Sequence, residues 1–220
     1  MLHPTLLCPD PRPELVEAAR QFHRQGWMVG TAGNLSARLP DGSFWITASG
    51  CDKGTLDLGC FVRLTATGEV LERPHPDVRP SAETCIHQTL YGLFPEARAC
   101  YHVHSIEANL ACHFTQDSPG GKILPLPPLE MLKGLGIWQE EPQVSIPLFP
   151  NYLDVPRIAA AIRDRIQAQP PEVPALLICD HGVTVWAPST TRARHYLELV
   201  EYLFRYLLAS HQLNLKTINH

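Results

Sequence analysis

The clearest chemical signal in the sequence is a pair of histidines two residues apart. Residues two apart on a β-strand point to the same face, so His102 and His104 would aim both imidazoles at one point while Val103 packs the other way. Neutral imidazoles bind zinc and other borderline divalent cations, and catalytic sites typically combine three protein ligands with an open position. His181, between an apolar segment and a glycine, is the predicted third ligand. We therefore expect a metalloenzyme, with zinc as the favoured ion.

An acidic residue near a predicted helix start adds to this pattern. Glu83 follows Pro80, Ser81 and Ala82, where exposed backbone N–H groups suit an anion and a carboxylate can be carried toward the metal. The commoner role of a glutamate at such a position is to interact with the helix dipole. Two of the eleven histidines can also fall two residues apart by chance. The combination of Glu83 with the histidine pair is what favours a metal site.

Two loops of small residues are candidates for binding a phosphate. One contains Gly33 and Asn34, the other contains Ser49 and Gly50, and Lys53 lies three residues further on. Glycine lets the backbone approach an anion, asparagine and serine add hydrogen-bond donors, and lysine can add a point charge. Ordinary turn chemistry is an alternative explanation of either loop alone. Neither loop matches a Walker or G-x-G-x-x-G pattern, so no nucleotide cofactor is predicted.

The elements that must position these residues alternate between helical and strand periodicity. Helices are predicted over 14–25, 81–93, 156–167 and 190–211. Strands are predicted over 35–39, 43–47, 61–65, 69–71, 101–104, 175–179 and 183–186. Asp154 is the predicted cap of the third helix, and the Pro/Gly-rich segment 117–128 is expected to be a surface loop. This order predicts an α/β fold with a largely antiparallel sheet covered by helices.

Length and composition restrict the class of protein. At 220 residues, with 45% hydrophobic and 18% charged residues, the chain is expected to form one globular domain over 1–220. The formal net charge of -4 and the scattered lysines and arginines provide no basic stripe, which disfavours a nucleic-acid partner. Histidine pairs of this spacing also occur in amidohydrolases, but the barrel of those enzymes usually needs a longer chain.

Apolar segments and cysteine usage bear on the compartment. Neither the first 13 residues nor any later segment has an apolar run of the length expected for a signal peptide or a membrane span. The seven cysteines form an odd, scattered set without a C-x-x-C pair, unlike a disulfide framework. We therefore expect a cytoplasmic protein with no membrane partner.

In order and spacing, five motifs of the chain resemble the class II aldolase/adducin family. These motifs are G-T-A-G-N-L-S-A-R, I-T-A-S-G-x-x-K, P-S-A-E-T-x-x-H, H-V-H-S and D-H-G-V. The resemblance runs over about 14–206 and implies a three-layer αβα sandwich with a mostly antiparallel central sheet, assembled as a homotetramer with active sites near subunit interfaces. It also implies one zinc per subunit on His102, His104 and His181. A sugar-phosphate substrate would bind through Gly33, Asn34, Ser49, Gly50 and Ser81.

Within that family, segment 129–134 (L-E-M-L-K-G) is similar to one found in members that dehydrate a methylthio-substituted ketopentose phosphate. This resemblance assigns Glu130 as the catalytic acid/base, with Glu83 able to share that role. Some of those members carry a cysteine where this chain has Thr84, so no thiol role is expected there. The alternatives are a sugar-phosphate aldolase that depends on Glu83, and a metal-free adducin-like binding module. A glutamate such as Glu130 can also simply begin a solvated helix.

Overall fold

The computed structural model describes residues 9–215, which form a nine-stranded sheet and its covering helices. The strands are β1 (Asn34–Arg38), β2 (Phe44–Thr47), β3 (Phe61–Leu64), β4 (Val70–Glu72), β5 (Ala99–Val103), β6 (Ile123–Pro125), β7 (Ser145–Phe149), β8 (Ala175–Ile178) and β9 (Gly182–Ala187). The helices are α1 (Arg12–Arg24), α2 (Thr84–Leu93), α3 (Ile106–Ala111), α4 (Val155–Ala168) and α5 (Thr190–Gln212). Two short 3-10 helices span Cys112–Phe114 and Glu130–Leu135.

The sheet has the strand order β4-β3-β2-β1-β5-β9-β8-β7-β6. Every neighbouring pair is antiparallel except β7 and β8, which are parallel. The predicted, mostly antiparallel sheet is therefore confirmed. Strand β5, which carries the first histidine of the pair, lies in the middle of the order between β1 and β9. The residues at its carboxyl end are thus enclosed by neighbouring strands on both sides.

Helices cover both faces of the sheet. Apolar residues recur at helical spacing in α1 and form one apolar face of that helix. Leu15 and Phe22 of this face lie in the same core as Leu203 of α5. On the other face, Ile86 of α2 and Ile162 of α4 belong to a second core. The two cores lie on opposite sides of the sheet because successive strand residues point to opposite faces. The expected three-layer αβα sandwich is confirmed.

Two hairpins form where the sequence predicts them. Strands β1 and β2 pair in register from Ser36 opposite Ile46, and the turn between them contains Gly42 with φ 86°. Strands β3 and β4 are joined through Gly68, with φ 95°. Both glycines adopt the left-handed backbone conformation that tight hairpin turns need and that other residues rarely adopt.

Three local details differ from the sequence-based expectations. Helix α2 begins at Thr84 rather than at Ser81, because the Ser81 carbonyl and hydroxyl accept the N–H groups of Thr84 and Glu83 in a preceding turn. Segment 117–128 is more than a loop, since it contributes edge strand β6. Asp154 does precede α4, but its side chain makes no capping hydrogen bond.

Two findings concern the surroundings of the protein. Within residues 9–215, no helix combines the length and the apolar character that a membrane crossing requires. The six cysteines in that part of the chain are free thiols, while Cys8 lies outside the described residues.

Candidate metal centre

Three histidines and a glutamate meet at one end of the central strands. His102 is in β5, His104 follows that strand by one residue, His181 lies in the turn between β8 and β9, and Glu83 immediately precedes α2. Each offers one ligand atom, and these atoms all lie within 4.8 Å of one another. The structure therefore brings together the three histidines and the carboxylate that the sequence singles out, although they are up to 98 positions apart in the chain.

Close backbone approaches make this convergence possible. A Cβ atom at Gly182 would lie 2.0 Å from the Val103 carbonyl oxygen, and one at Gly33 would lie 2.8 Å from the His102 carbonyl oxygen. Only glycine permits such contacts, so these two positions let β9 and β1 close onto β5. Asp180 has φ 50°, which sharpens the turn that carries His181.

Hydrogen bonding around His102 favours metal binding by its inward nitrogen. The Nδ1 atom of His102 lies 2.8 Å from Oγ1 of Thr184, its partner on β9. Its Nε2 atom faces the cluster and lies 2.8 Å from Nε2 of His104. A hydrogen-bond partner on one ring nitrogen commonly fixes the tautomer of a metal-binding histidine and leaves the lone pair of the other nitrogen for the ion.

The electrostatics of the cluster suit a divalent cation. Burial lowers the pKa of His102 to about 4 and, together with the neighbouring histidines, the pKa of His104 to about 3. Burial would raise the pKa of Glu83, but the charges of His102 and His181 and the hydrogen bonds from His181 and Asn34 bring it well below its ordinary value. Neutral imidazoles and an ionised carboxylate are the protonation states that bind metal. The donor set therefore fits a divalent ion.

A chain of buried hydrogen bonds runs from Glu83 into the core. Asn34 donates its side-chain N–H to Oε2 of Glu83, and its Oδ1 lies 2.5 Å from Nε2 of His87. The Nδ1 atom of His87 lies 2.7 Å from Oγ of Ser36, and that oxygen lies 2.7 Å from the hydroxyl of Tyr91. Burial lowers the pKa of His87 to about 4, so its imidazole is neutral.

The direction of every bond in this chain follows from its first one. Asn34 donates a side-chain N–H to Glu83, which orients its amide group. The amide oxygen must therefore accept a hydrogen bond from Nε2–H of His87. The Nδ1 atom of the neutral imidazole then accepts from Ser36, whose oxygen accepts from Tyr91. We call this series of side chains, Glu83, Asn34, His87, Ser36 and Tyr91, the Glu83 relay. Each member is hydrogen-bonded to the next. The relay thus holds the carboxylate in one orientation.

The two predicted phosphate loops lie beside each other and beside the Ser81 turn. Lys53 is buried, and its Nζ atom donates to the carbonyl oxygens of Thr31 and Cys51, each 2.9 Å away. Its backbone N–H donates to the Gly30 carbonyl at 3.0 Å. The structure therefore uses Lys53 to clamp the first loop to the second, and its role as a direct phosphate ligand stays a prediction.

The second of these loops also contacts the segment before α2. The N–H of Ser49 donates to the Arg79 carbonyl at 2.9 Å, and Ala48 forms a bridge with Pro80. Ser49 and Gly50 are exposed, whereas Ser81 is half-buried. These contacts place three short loops at one edge of the metal cluster, and phosphate binding there stays a prediction.

Comparison with known proteins identifies the family. The family described as Class II Aldolase and Adducin N-terminal domain matches residues 13–208. The chain belongs to this family. Enzymes of the family typically use a metal ion, and the cluster of Glu83 with the three histidines is the candidate site for one.

Individual proteins are similar to this chain over most of its length. A methylthioribulose-1-phosphate dehydratase from Microcystis aeruginosa is 62% identical over 203 residues, which cover 92% of this chain and 97% of the relative. One from Leptospira biflexa is 42% identical over 197 residues, which cover 87% and 93%. An L-fuculose-1-phosphate aldolase from Thermus thermophilus superposes with a TM-score of 0.70 at 22% identity over 92% of this chain and 95% of that one. At this low identity the last comparison shows the fold alone.

Glu130 does not join the cluster of this class II aldolase-like chain. It lies at the start of the 3-10 helix Glu130–Leu135, its side chain is 79% exposed, and its Oε1 accepts a hydrogen bond from Lys133 at 2.9 Å. The group of metal-ligating side chains formed by Glu83 and the three histidines does not include it. Its role as an acid/base therefore stays a prediction.

Sequence reasoning missed the residues behind Glu83. His87 ends the P-S-A-E-T-x-x-H motif, four positions after Glu83, so one helical turn brings both to the same side of α2. Ser36 follows Asn34 by two positions on β1 and shares its face. These two spacings are the available signals. Tyr91, one further turn along α2, shows no signal of its own.

Proposed function

We propose that this chain is a methylthioribulose-1-phosphate dehydratase, a hydro-lyase that converts 5-methylthioribulose 1-phosphate to 5-methylthio-2,3-dioxopentyl phosphate in methionine salvage. The observation that carries this proposal is the 62% identity, over nearly the whole of both chains, to a relative of that name. The segment L-E-M-L-K-G supports the same assignment, because it resembles a segment of such dehydratases.

The proposed metal is one zinc ion per chain, bound by His102, His104 and His181. Three imidazoles with an open position form a common catalytic zinc site, and the convergence of their ligand atoms within 4.8 Å supports this set. When bound, the ion supplies Lewis-acid polarisation of substrate oxygens. Metal analysis of the purified protein tests this step, since an adducin-like module would contain no stoichiometric zinc.

The residues of the chain would move the protons. Dehydration removes a proton from C3, beside the C2 ketone, and hydroxide from C4. The resulting enol then takes up a proton at C4 and releases the proton of its C3 hydroxyl to become the diketone. We assign Glu130 as the base that accepts the C3 proton and as the acid that returns one to the departing hydroxyl. Glu83 can share either transfer, and its fixed orientation supports a role beside the reacting carbons.

Phosphate binding is assigned to the loops beside the metal cluster. The residues are Gly33, Asn34, Ser49, Gly50, Lys53 and Ser81. Backbone N–H groups and hydroxyls on adjacent loops suit an anion, and the Lys53 clamp that joins two of those loops supports this assignment. Binding energy from the phosphate would then orient the reacting carbons.

A homotetramer would give Glu130 access to a metal cluster. Because the Glu130 side chain is exposed and lies outside the cluster of its own chain, we assign it to the active site of a neighbouring copy. Equal co-expression of Glu130→Gln and His102→Ala chains tests this arrangement. If sites are shared, about a quarter of them combine an intact cluster with an intact glutamate, and activity returns. If each chain serves itself, the mixture stays inactive.

The remaining assignments concern the chain as a whole. We propose that 1–220 forms a single class II aldolase-like domain that works in the cytoplasm. The free thiols support a reducing compartment.

A coupled assay tests the central proposal. Purified protein is given methylthioribulose 1-phosphate and, in a parallel sample, fuculose 1-phosphate. Formation of the diketone from the first substrate is expected. Release of an aldehyde from the second, with no diketone from the first, would instead establish a sugar-phosphate aldolase. That second candidate is favoured by one observation, namely that Glu83 rather than Glu130 lies in the cluster.

A further inference from the structure

A second group of metal-ligating side chains lies next to the histidine cluster. The ligand atoms of Cys112, His113 and Asp180 lie within 4.8 Å of one another. The Sγ atom of Cys179 adjoins them, 3.8 Å from Sγ of Cys112 and 3.4 Å from Oδ2 of Asp180. The Oδ1 atom of Asp180 lies 3.7 Å from Sγ of Cys112 and 2.9 Å from Nε2 of His113. None of these residues takes part in the proposed dehydration.

We propose that Cys112, His113, Cys179 and Asp180 form a second metal site, which takes a borderline or soft divalent cation such as Zn²⁺ or Cd²⁺. Two thiolates, an imidazole and a carboxylate are zinc ligands, and thiolates select such ions over Mg²⁺ and Ca²⁺. This site is distinct from the histidine cluster, because it shares no residue with it.

The spacing of the two sulfur atoms fits tetrahedral coordination. Two thiolates that each lie about 2.3 Å from one tetrahedral zinc are about 3.8 Å apart, which equals the distance between Cys112 and Cys179. A disulfide would instead bring the sulfurs to about 2.05 Å. The imidazole and carboxylate lie closer together than two ligands of one ion, but both side chains are more than half exposed and can rotate to bind it.

Three of the proposed ligands lie at the ends of regular secondary-structure elements. Cys112 directly follows α3, while Cys179 and Asp180 follow β8 in the turn that has the left-handed residue Asp180 at φ 50°. The backbone N–H of Asp180 points at Sγ of Cys112, 3.5 Å away. A bound ion would join the segment after His104 to the turn that carries His181.

Cadmium titration of the reduced protein, with zinc already bound at the histidine cluster, tests the proposal. The ultraviolet band of cadmium bound to thiolate reports on this site, because the histidine cluster contains no thiol. We expect the band to saturate as native mass spectrometry records one Cd²⁺ per chain in addition to the resident zinc. The Cys112→Ser and Cys179→Ser variants should each lose the band and that added ion.

Two further variants separate ligand loss from misfolding and from other thiols. His113→Ala changes an exposed side chain, and it should weaken Cd²⁺ binding by about 10-fold or more, since even the loss of an outer-shell partner costs about 10- to 100-fold. Cys60→Ser should leave the band intact. A band that disappears in Cys60→Ser but persists in Cys112→Ser, or the absence of any added Cd²⁺ in the unmodified protein, would overturn the proposal.

Discussion

The two carboxylates of the proposed mechanism occupy opposite environments. The Glu83 side chain is 13% exposed, is bonded to His181 and Asn34, and is supported from behind by the relay through His87. The Glu130 side chain is 79% exposed, and its one hydrogen-bond partner within residues 9–215 is Lys133, three residues further along the same short helix. The position of Glu83 is therefore determined by the fold of one chain. The position of Glu130 at a reacting carbon would depend on what packs against its surface.

This difference bears on which group acts as the acid/base. A catalytic base must lie within hydrogen-bond reach of the proton that it removes, or reach it through one water molecule. Glu83 lies at the metal cluster within a single chain, whereas Glu130 would reach that cluster only from a neighbouring copy in the proposed assembly. The proposed role of Glu130 thus depends on assembly in a way that a role for Glu83 does not.

Loss of one histidine from the cluster should abolish turnover, whichever of the two carboxylates transfers the protons. His102→Ala leaves two imidazoles for the ion, so bound zinc and turnover should both disappear. Metal analysis and the dehydratase assay measure the two effects. His75, which is exposed and lies outside the cluster, provides the control, and His75→Ala should retain both zinc and activity. Full zinc content in His102→Ala would exclude His102 as a ligand.

Replacing each carboxylate by its amide compares the two directly. Glu130→Gln keeps the size of the side chain but cannot cycle a proton, so turnover with methylthioribulose 1-phosphate should fall by about 10²- to 10⁴-fold while zinc remains. Substrate binding should change little.

The Glu83→Gln variant supplies the other half of that comparison. We expect a smaller loss of turnover than in Glu130→Gln, because Glu83 only shares the proton transfers in the proposed mechanism. If Glu130→Gln retains near-normal dehydration and Glu83→Gln abolishes it, the roles are reversed. Zinc should be measured in both variants, since a lost ion would explain inactivity without any proton transfer.

The phosphate loops should respond mainly through substrate binding. Ser81→Ala removes one hydroxyl beside the cluster and should raise KM with a modest loss of kcat, because remote binding energy also positions the reacting carbons. Asn34→Ala should lower kcat further, since it removes the direct partner of Glu83 as well. Steady-state kinetics of the two variants separate these effects. Unchanged kinetics in both would count against phosphate binding at these loops.

Much of the fold could be predicted because its signals are local. Helical periodicity marks α1 and α5, and the Asp41-Gly42 turn marks the first hairpin. Edge strand β6 could not be predicted in the same way, since its three residues become a strand only by pairing with β7. The predicted start of α2 at Ser81 is also wrong, because Ser81 uses its polar groups in a turn rather than in the helix.

The residues of the candidate site also differ in whether local sequence patterns predict them. The meeting of His102, His104 and His181 could be predicted, because strand alternation and a strand-end turn orient them from short segments. The partners of Glu83 beyond Asn34 could not, since the bonds between Ser36, His87 and Tyr91 depend on how α2 packs against β1. No sequence pattern specifies whether Glu130 reaches the cluster of a neighbouring copy, as the proposed mechanism requires. Packing and assembly therefore supply what local patterns omit.

The smallest effect should come from the far end of the Glu83 relay. Tyr91→Phe removes only the hydroxyl that donates to Ser36, so Ser36 loses one partner and the far end of the relay is held less firmly. A loss of about 0.5–1 kcal/mol in the orientation of Glu83 corresponds to about two- to fivefold in turnover. Zinc content and KM should stay unchanged, because neither the ligands nor the phosphate loops are altered.

Tyr101→Phe is the matched control for that variant. Tyr101 is also a buried tyrosine, but its hydroxyl donates to the Thr190 carbonyl, away from the relay. Both variants lose one buried hydrogen bond, so both should lower the free energy of unfolding by about 1 kcal/mol. Only Tyr91→Phe should also lower kcat. Equal kcat values in the two variants, with equal loss of stability, would mean that the relay supports the core and does not position Glu83.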